Sequence, residues 1–373
     1  MKKVIIFYPY VDVYGGLERN LLALFSAIKK KKLIPMFVCY YDKVGLKNYF
    51  KHVNITQLGN HYNPIIKGKR LKSYLEKHDK DIIGLPLFIG EKGAYFAAFF
   101  NIRNYVVHYP DPPTLQIEKK SKKKIYEFYK KTRRIAARKI ALIGLKRASK
   151  KLTMTIKNSK DLKKIYNLKF DVINQGGASY PNKHIDKKKC KRKSLNLFSI
   201  CRITNSKNLD WIIKGLSVLL NKKPFKEWYN KINLIISGEG PEKKNLIKLT
   251  KKLKLQNLIK FTGHIDEKSL IKIYKTTDIV LVPAIQGYGM PVLEALYCNI
   301  PVVLNKESRI SEILKSNPWV RISKNTKKSF VQSLCKHIKK IRLKLPNTKY
   351  LKNLPTEEQW SKNIGIYCNW WKK

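Results

Sequence analysis

The stretch AIQGYGMPVLEALYCNIPVV, residues 284–303, sets two glycines, a proline and a single glutamate between two apolar runs. The run before it, DIVLVPA (278–284), reads as a buried strand. Gly287 and Gly289 let the backbone turn sharply and let a ligand approach closely. Pro291 suits the first turn of a helix, where a missing N–H costs nothing, and the helix is expected from Val292 to about Cys298. Unpaired N–H groups at a helix start, aided by the macrodipole, favour a phosphate group. Glu294 stands three residues after Pro291, where it can reach ligand hydroxyls at a crevice edge. A glutamate there can equally do no more than favour the helix N-terminus, and the two readings stay open.

Strand, glycine turn, helix and strand make one unit of a parallel sheet, and the same alternation extends outward. The first half offers strands at 3–8, 35–40, 54–58, 81–86, 104–109, 152–156 and 171–174, with helical patterns between most of them. The polar stretch SYPNKHIDKKKCKRKS (179–194) follows, and the pattern restarts with strands at 195–200, 232–238, 258–263, 278–283, 300–304 and 319–323. This alternation predicts an α/β protein with two Rossmann-like, doubly wound domains. The expected boundaries are 1–178, a basic linker 179–194, 195–355, and a terminal helix 356–373. Such sheets bind ligands beyond the carboxyl ends of their strands, and with two of them a cleft between the domains is the expected site. In TEEQWSKNIGIYCNWW (356–371), Thr356 and Gln359 form a capping-box pattern. Trp360, Ile364, Tyr367 and Trp371 fall on one helical face.

The 373 residues carry 79 Lys and Arg against 25 Asp and Glu, a formal charge of +54. A surface of this kind attracts polyanions: an anionic membrane, nucleic acid or a phosphorylated substrate. A lysine excess can also reflect AT-rich coding. No stretch approaches the ~18–20 apolar residues of a membrane span, and Val4–Tyr8 reads as a first strand rather than part of a leader. The six cysteines (39, 190, 201, 298, 335, 368) include no CxxC pair, which suggests neither a zinc site nor a disulfide framework and fits a cytoplasmic setting.

Residues 119–151 form a basic helical segment in which Ile125, Phe128, Tyr129, Thr132, Ile135, Ala136, Ile140 and Ile143 share a stripe interrupted by Lys139. It has the form of an amphipathic helix that lies on an anionic membrane, here the inner face. An ordinary packing helix with a solvated face fits the pattern as well.

QGYGMPVLEALYCNIPVV resembles the signature of family 4 of the retaining glycosyltransferases, which have the GT-B fold. That signature has two glutamates seven residues apart. Glu294 matches the second, and Gln286 stands in place of the first. Asn299 stands where glycine is usual, a mild change because Asn tolerates the left-handed conformation. YGGLERNLLALFSAI (14–28) resembles the family's Gly-Gly loop and first helix, and SICRITNSKNLDWIIKGL (199–216) its Arg-x4-Lys element.

The resemblance implies that Gly15 and Gly16 face the donor diphosphate and that Arg202 and Lys207 neutralise it as it leaves. Gly287, Gly289, Met290, Pro291 and Glu294 hold the donor, with Glu294 on the ribose. Gly263 and His264 lie where the base-binding loop falls, and His108, ending a strand, contacts the transferred sugar. GEGP (238–241) reads first as a strand-to-helix turn. The terminal helix would cross back onto the first domain, and no metal or other cofactor is implied.

The expected activity is metal-independent, retaining transfer of a hexose-type sugar from a UDP- or GDP-linked donor to a glycan or lipid-linked acceptor. An amide at Gln286 keeps a carbonyl acceptor and adds two donors, but cannot stabilise positive charge as a carboxylate does. Two other readings stay open: a polyanion-binding protein on a catalytically weakened GT-B scaffold, although nucleic acid is not the expected partner, and a relative that epimerises or inverts.

Overall fold

A computed structural model describes residues 2–12, 15–50, 52–115, 124–177, 194–228 and 231–372. The chain divides into two compact units, Met1–Gly176 with Pro355–Lys373, and Gly177–Leu354. All but the last residue of the basic stretch 179–194, including Cys190, lies outside the described residues.

The first unit runs β1 (Lys3–Phe7), β2 (Tyr10–Val11), α1 (Gly16–Lys30), β3 (Ile34–Cys39), β4 (Tyr41–Asp42), β5 (Asn54–Gln57), α2 (Pro64–His78), β6 (Leu87–Ile89), α3 (Gly90–Phe99), β7 (Val106–Tyr109), α4 (Lys124–Arg147), β8 (Lys150–Thr153), α5 (Ile156–Tyr166) and β9 (Asp171–Val172). Seven of these strands pair in parallel in the order β5-β3-β1-β6-β7-β8-β9. The central ones are continuous apolar runs because both faces of the sheet are covered. Val4, Ile6, Phe37 and Leu87 point into one core layer, and Ile5, Phe7, Val38 and Phe88 into the other.

The second unit runs β10 (Ser194–Ile200), α6 (Leu209–Leu220), α7 (Lys223–Trp228), β11 (Lys231–Ser237), α8 (Lys243–Lys252), β12 (Ile259–Gly263), α9 (Glu267–Thr276), β13 (Ile279–Val282), α10 (Met290–Tyr297), β14 (Val302–Asn305), β15 (Val320–Ser323) and α11 (Lys327–Leu343). Its parallel sheet has the order β12-β11-β10-β13-β14-β15. The winding direction reverses between β10 and β13, which is the topological switch point where doubly wound sheets take ligands.

The last helix, α12 (Glu357–Tyr367), belongs to the first unit. Thr356 caps it by accepting from the Gln359 N–H at 3.1 Å, while the Gln359 side chain donates onward to Asn363 rather than back to the cap. Trp360 and Ile364 are fully buried in the core with α1 and β1. The helix ends at Tyr367, and Asn369 turns the chain with φ 56°. Trp370, rather than Trp371, is therefore the buried tryptophan, and its indole donates to Leu85 O at 2.9 Å.

Three sequence expectations change. The strand expected at 81–86 forms at Leu87–Ile89 instead. Gly84 takes φ 66° and Pro86 lacks a donor, so the earlier segment gives only single hydrogen bonds, such as Ile83 N–H to Lys3 O. The strand expected at 152–156 ends at Thr153, because Thr155 accepts from the Asn158 N–H and starts α5.

The third change concerns α4. It packs through Ala141, Gly144 and Leu145, and a side chain at Gly144 would overlap Ala94 O of α3. Of the expected apolar stripe, Phe128 (69% exposed), Ile135 and Ile143 face outward, and the side chains of Ile125 and Tyr129 lie outside the described residues.

Candidate functional site

The loops leaving β10, β13 and β14 are laced together at the switch point of the second unit. Ile285 N–H donates to Ser206 O at 2.8 Å, tying the exit of β13 to that of β10. Asn208 and Asn305 both donate side-chain N–H groups to Pro283 O, at 3.0 and 2.8 Å. The Gln286 backbone then pairs with the strand-14 exit, accepting from Arg309 N–H at 3.1 Å.

This framework fixes the Gln286 side chain. Its Oε1 accepts from Lys207 Nζ at 2.8 Å, and its Nε2 donates to Ser308 Oγ at 3.0 Å. Ser308 in turn donates to Tyr288 O at 3.1 Å. A carboxylate at 286 would lack that second donor.

Gly289 caps the N-terminus of α10 with φ 111°, a conformation L side chains rarely adopt. A Cβ there would also collide with Gln286 Nε2 and lie 2.8 Å from Ser308 Oγ. Glycine is thus required both by the turn and by the amide beside it. Met290 opens α10 and Pro291 follows in its first turn. Asn299 ends the helix at φ 54°, the left-handed position that the sequence allows it in place of glycine.

Glu294 is buried one turn inside α10, where the Tyr274 hydroxyl donates to its Oε2 at 3.2 Å. Arg202 lies exposed on the β10 exit. The GEGP turn holds that exit in place: Ile203 N–H donates to Glu239 O at 2.8 Å, and a side chain on Gly240 would overlap Ile203 O. Gly263 closes β12 and His264 after it is exposed. They stand at the edge strand, two strands away from β10.

Gly15, Gly16 and His108 belong to the first unit. The Gly15 amide, expected to face a diphosphate, donates at 2.8 Å to Glu18 Oε2. Glu18 is buried, which raises its carboxyl above the usual range. Gly16 is the first residue of α1. His108 is fully buried inside β7 with its ring edge-on to Trp360, centroids 5.8 Å apart. Burial lowers its pKa to about 4, and among the described residues neither ring nitrogen has a hydrogen-bond partner.

Lys207, Gln286 and Gly289 therefore converge in one site with Ser308, which sequence reasoning missed. Tyr274, the partner of Glu294, was missed too. Neither carries a local signal, since both act through contacts distant in sequence.

Two parallel, doubly wound units, one with a candidate site at the β10/β13 switch point, have the GT-B fold, and comparison with known proteins agrees. Residues 181–344 match the family model described as Glycosyl transferases group 1. Over 115 residues the chain is 28% identical to an uncharacterized glycosyltransferase of Methanocaldococcus jannaschii, a match spanning 31% of this chain and 28% of that relative's length. Among solved structures, sucrose-phosphate synthase of Thermosynechococcus elongatus superposes with a TM-score of 0.77 at 11% identity, covering 98% of each chain. HepE of Anabaena in complex with UDP and glucose gives 0.71 at 14% identity, over 98% of this chain and 99% of that one. WaaG, a glycosyltransferase of lipopolysaccharide biosynthesis, gives 0.66 at 14%, over 98% and 95%.

Proposed function

We propose that the protein is a retaining, metal-independent glycosyltransferase of family 4, moving a hexose-type sugar from a UDP- or GDP-linked donor to a glycan or lipid-linked acceptor. The observation that carries this reading is the 2.8 Å bond between Lys207 and Gln286 across the switch point, beside the glycine-capped start of α10. The match to glycosyl transferases group 1 over 181–344 supports it, as does the UDP-glucose complex of the Anabaena protein.

In this reading the donor lies against the second unit, with Glu294, held by Tyr274, towards the nucleotide ribose. Lys207 and the backbone amides at Gly289 and Met290 meet the diphosphate, and Arg202 swings in from the β10 exit. Their task is to stabilise the charge that builds on the leaving diphosphate, commonly the largest catalytic contribution. Arg supplies a planar fork and Lys a mobile point charge. Gln286 orients Lys207 and offers polar groups to the sugar hydroxyls. The leaving phosphate helps take the acceptor proton on the same sugar face, so no side-chain nucleophile is needed.

The exposed Phe128, Ile135 and Ile143, among Lys131, Arg133, Arg134 and Lys139, would lay α4 on an anionic membrane. This supports a cytoplasmic enzyme working at the inner membrane face. Screening UDP- and GDP-sugars for hydrolysis and transfer tests the proposal, and NMR of the product anomer tests retention. No turnover and no donor binding, with steeply salt-dependent binding of RNA or DNA, would favour the weakened scaffold.

A further inference from the structure

The first unit has its own switch point, between β1 and β6, and the residues just beyond those strands form a cationic, aromatic cluster. Tyr10 follows β1, Lys92 lies in the first turn of α3 after β6, and Lys67 comes from the first turn of α2. The Lys67 ammonium donates to Tyr10 Oη at 2.9 Å and sits 4.8, 5.5 and 5.9 Å from the ring centroids of Tyr10, Tyr40 and Phe96. The Lys92 ammonium lies 4.4 Å from the same Tyr10 ring.

Lys67 is only 7% exposed, and among the described residues it has no carboxylate partner. Its ammonium end is part-buried against Tyr10, and an ammonium drawn out of water is ordinarily paired with an anion. Two of its three N–H donors form no hydrogen bond among the described residues, and aromatic faces offset only part of its lost hydration. Burial and then the neighbouring Lys92 lower its pKa, and burial lowers that of Lys92. Two acids act on Lys92: Asp12, which accepts from Tyr41 Oη at 2.8 Å and pairs with Lys43 at 3.6 Å, and Glu91, which accepts from Tyr166 Oη at 2.6 Å and lies 4.0 Å from Arg138. Tyr10 accepts from Lys67, so its own O–H is left to donate.

We infer that Lys67, Lys92 and Tyr10 form a binding site for a small oxyanion, a phosphate or carboxylate borne on the acceptor. Two cationic donors and a phenol converge where a doubly wound sheet takes its ligand, and the tilted Tyr10 and Tyr41 rings, centroids 5.1 Å apart, offer an apolar surface for a sugar ring. Assigning the anion to the acceptor rests on the glycosyltransferase reading; the site itself rests on the geometry alone.

The test is calorimetric titration of the full chain, without donor, using glucose 6-phosphate, glucuronate and uncharged glucose. One anionic sugar is expected to bind more tightly than glucose and identifies the oxyanion. Lys67→Met and Lys92→Met should each weaken it at least tenfold, while Lys69→Met, an exposed neighbour on α2, stays within twofold. Thermal melts confirm folding, and the Lys92 variant, whose side chain is solvent-accessible although its ammonium is partly desolvated, keeps the test valid if Lys67→Met does not fold. Binding that is absent, or equal in all variants as for a general polycation, overturns the inference. Specific binding by a protein that hydrolyses and transfers no nucleotide-sugar leaves the site standing and removes only the assigned function.

Discussion

Lys207 donates to the side-chain carbonyl of Gln286 at 2.8 Å, joining the loop after β10 to the loop after β13. The pair links the two strands whose exits diverge, and in the proposed function it fixes a cation beside the leaving diphosphate. Replacing Gln286 by glutamate turns this charge-assisted hydrogen bond into an ion pair and supplies a carboxylate to an oxocarbenium-like sugar. Turnover of Gln286→Glu should equal or exceed that of the wild type. Complete loss of activity with an unchanged melting temperature would show that the amide is required.

Arg202 is exposed, so Arg202→Ala should fold normally. Losing charge-assisted hydrogen bonds of about 1.5–3 kcal/mol should slow transfer roughly 10–150-fold. Steady-state kinetics at wild-type rate would remove Arg202 from the diphosphate role.

Gly289→Ala places a Cβ against Gln286 and Ser308 at a positive φ. Strain of about 1–3 kcal/mol is expected, with a lower melting temperature and a raised KM for the donor. An unchanged KM would mean that the amide and the helix mouth do not act together.

Burial holds His108 and His337 near pKa 4, well below their ordinary 6.5. Lys340 and Arg321 add to the effect at His337. The unfolded chain takes up these protons first. The stabilising contribution is therefore complete above pH 6.5 and is lost as pH falls from 6.5 towards 4, at up to about 1.4 kcal/mol per pH unit for each histidine. Thermal melts should show that His108→Leu and His337→Leu each flatten the acid limb between pH 6.5 and 4. Parallel wild-type and variant curves would contradict this.

Flotation with vesicles tests the outward face of α4. Anionic vesicles should carry the wild type and zwitterionic ones should not. Phe128→Asp with Ile135→Asp should abolish flotation without lowering stability, because both side chains are exposed. Unchanged flotation would reduce the contact to nonspecific charge.

Much of the fold was legible because central parallel strands such as VIIF and IVLV are unbroken apolar runs with glycine or proline beside them. The 284–303 stretch announced its turn, its helix start and the left-handed Asn299 through residue types with narrow backbone preferences. The edges were less legible. The strand at 87–89 was misplaced because Gly84 and Pro86 break a segment whose apolar composition alone looks like a strand. The exposed face of α4 was not separable from its packing face, since Gly144 and Ala141 pack by being small, which apolar periodicity under-weights. Lys207 and Gln286 could be named from the sequence, but their bond could not, because it spans 79 positions. The Lys67 cluster was invisible for the same reason, among 79 Lys and Arg residues.

In the proposed function the start of α10 and Lys207 grip a nucleoside diphosphate. Calorimetry of UDP and GDP with the wild type and with Lys207→Met at two salt concentrations tests it most directly. Saturable binding of one nucleotide, weakened at least tenfold in the variant, is the expected result. Equal affinity in both proteins, rising steeply as salt is lowered, would contradict it.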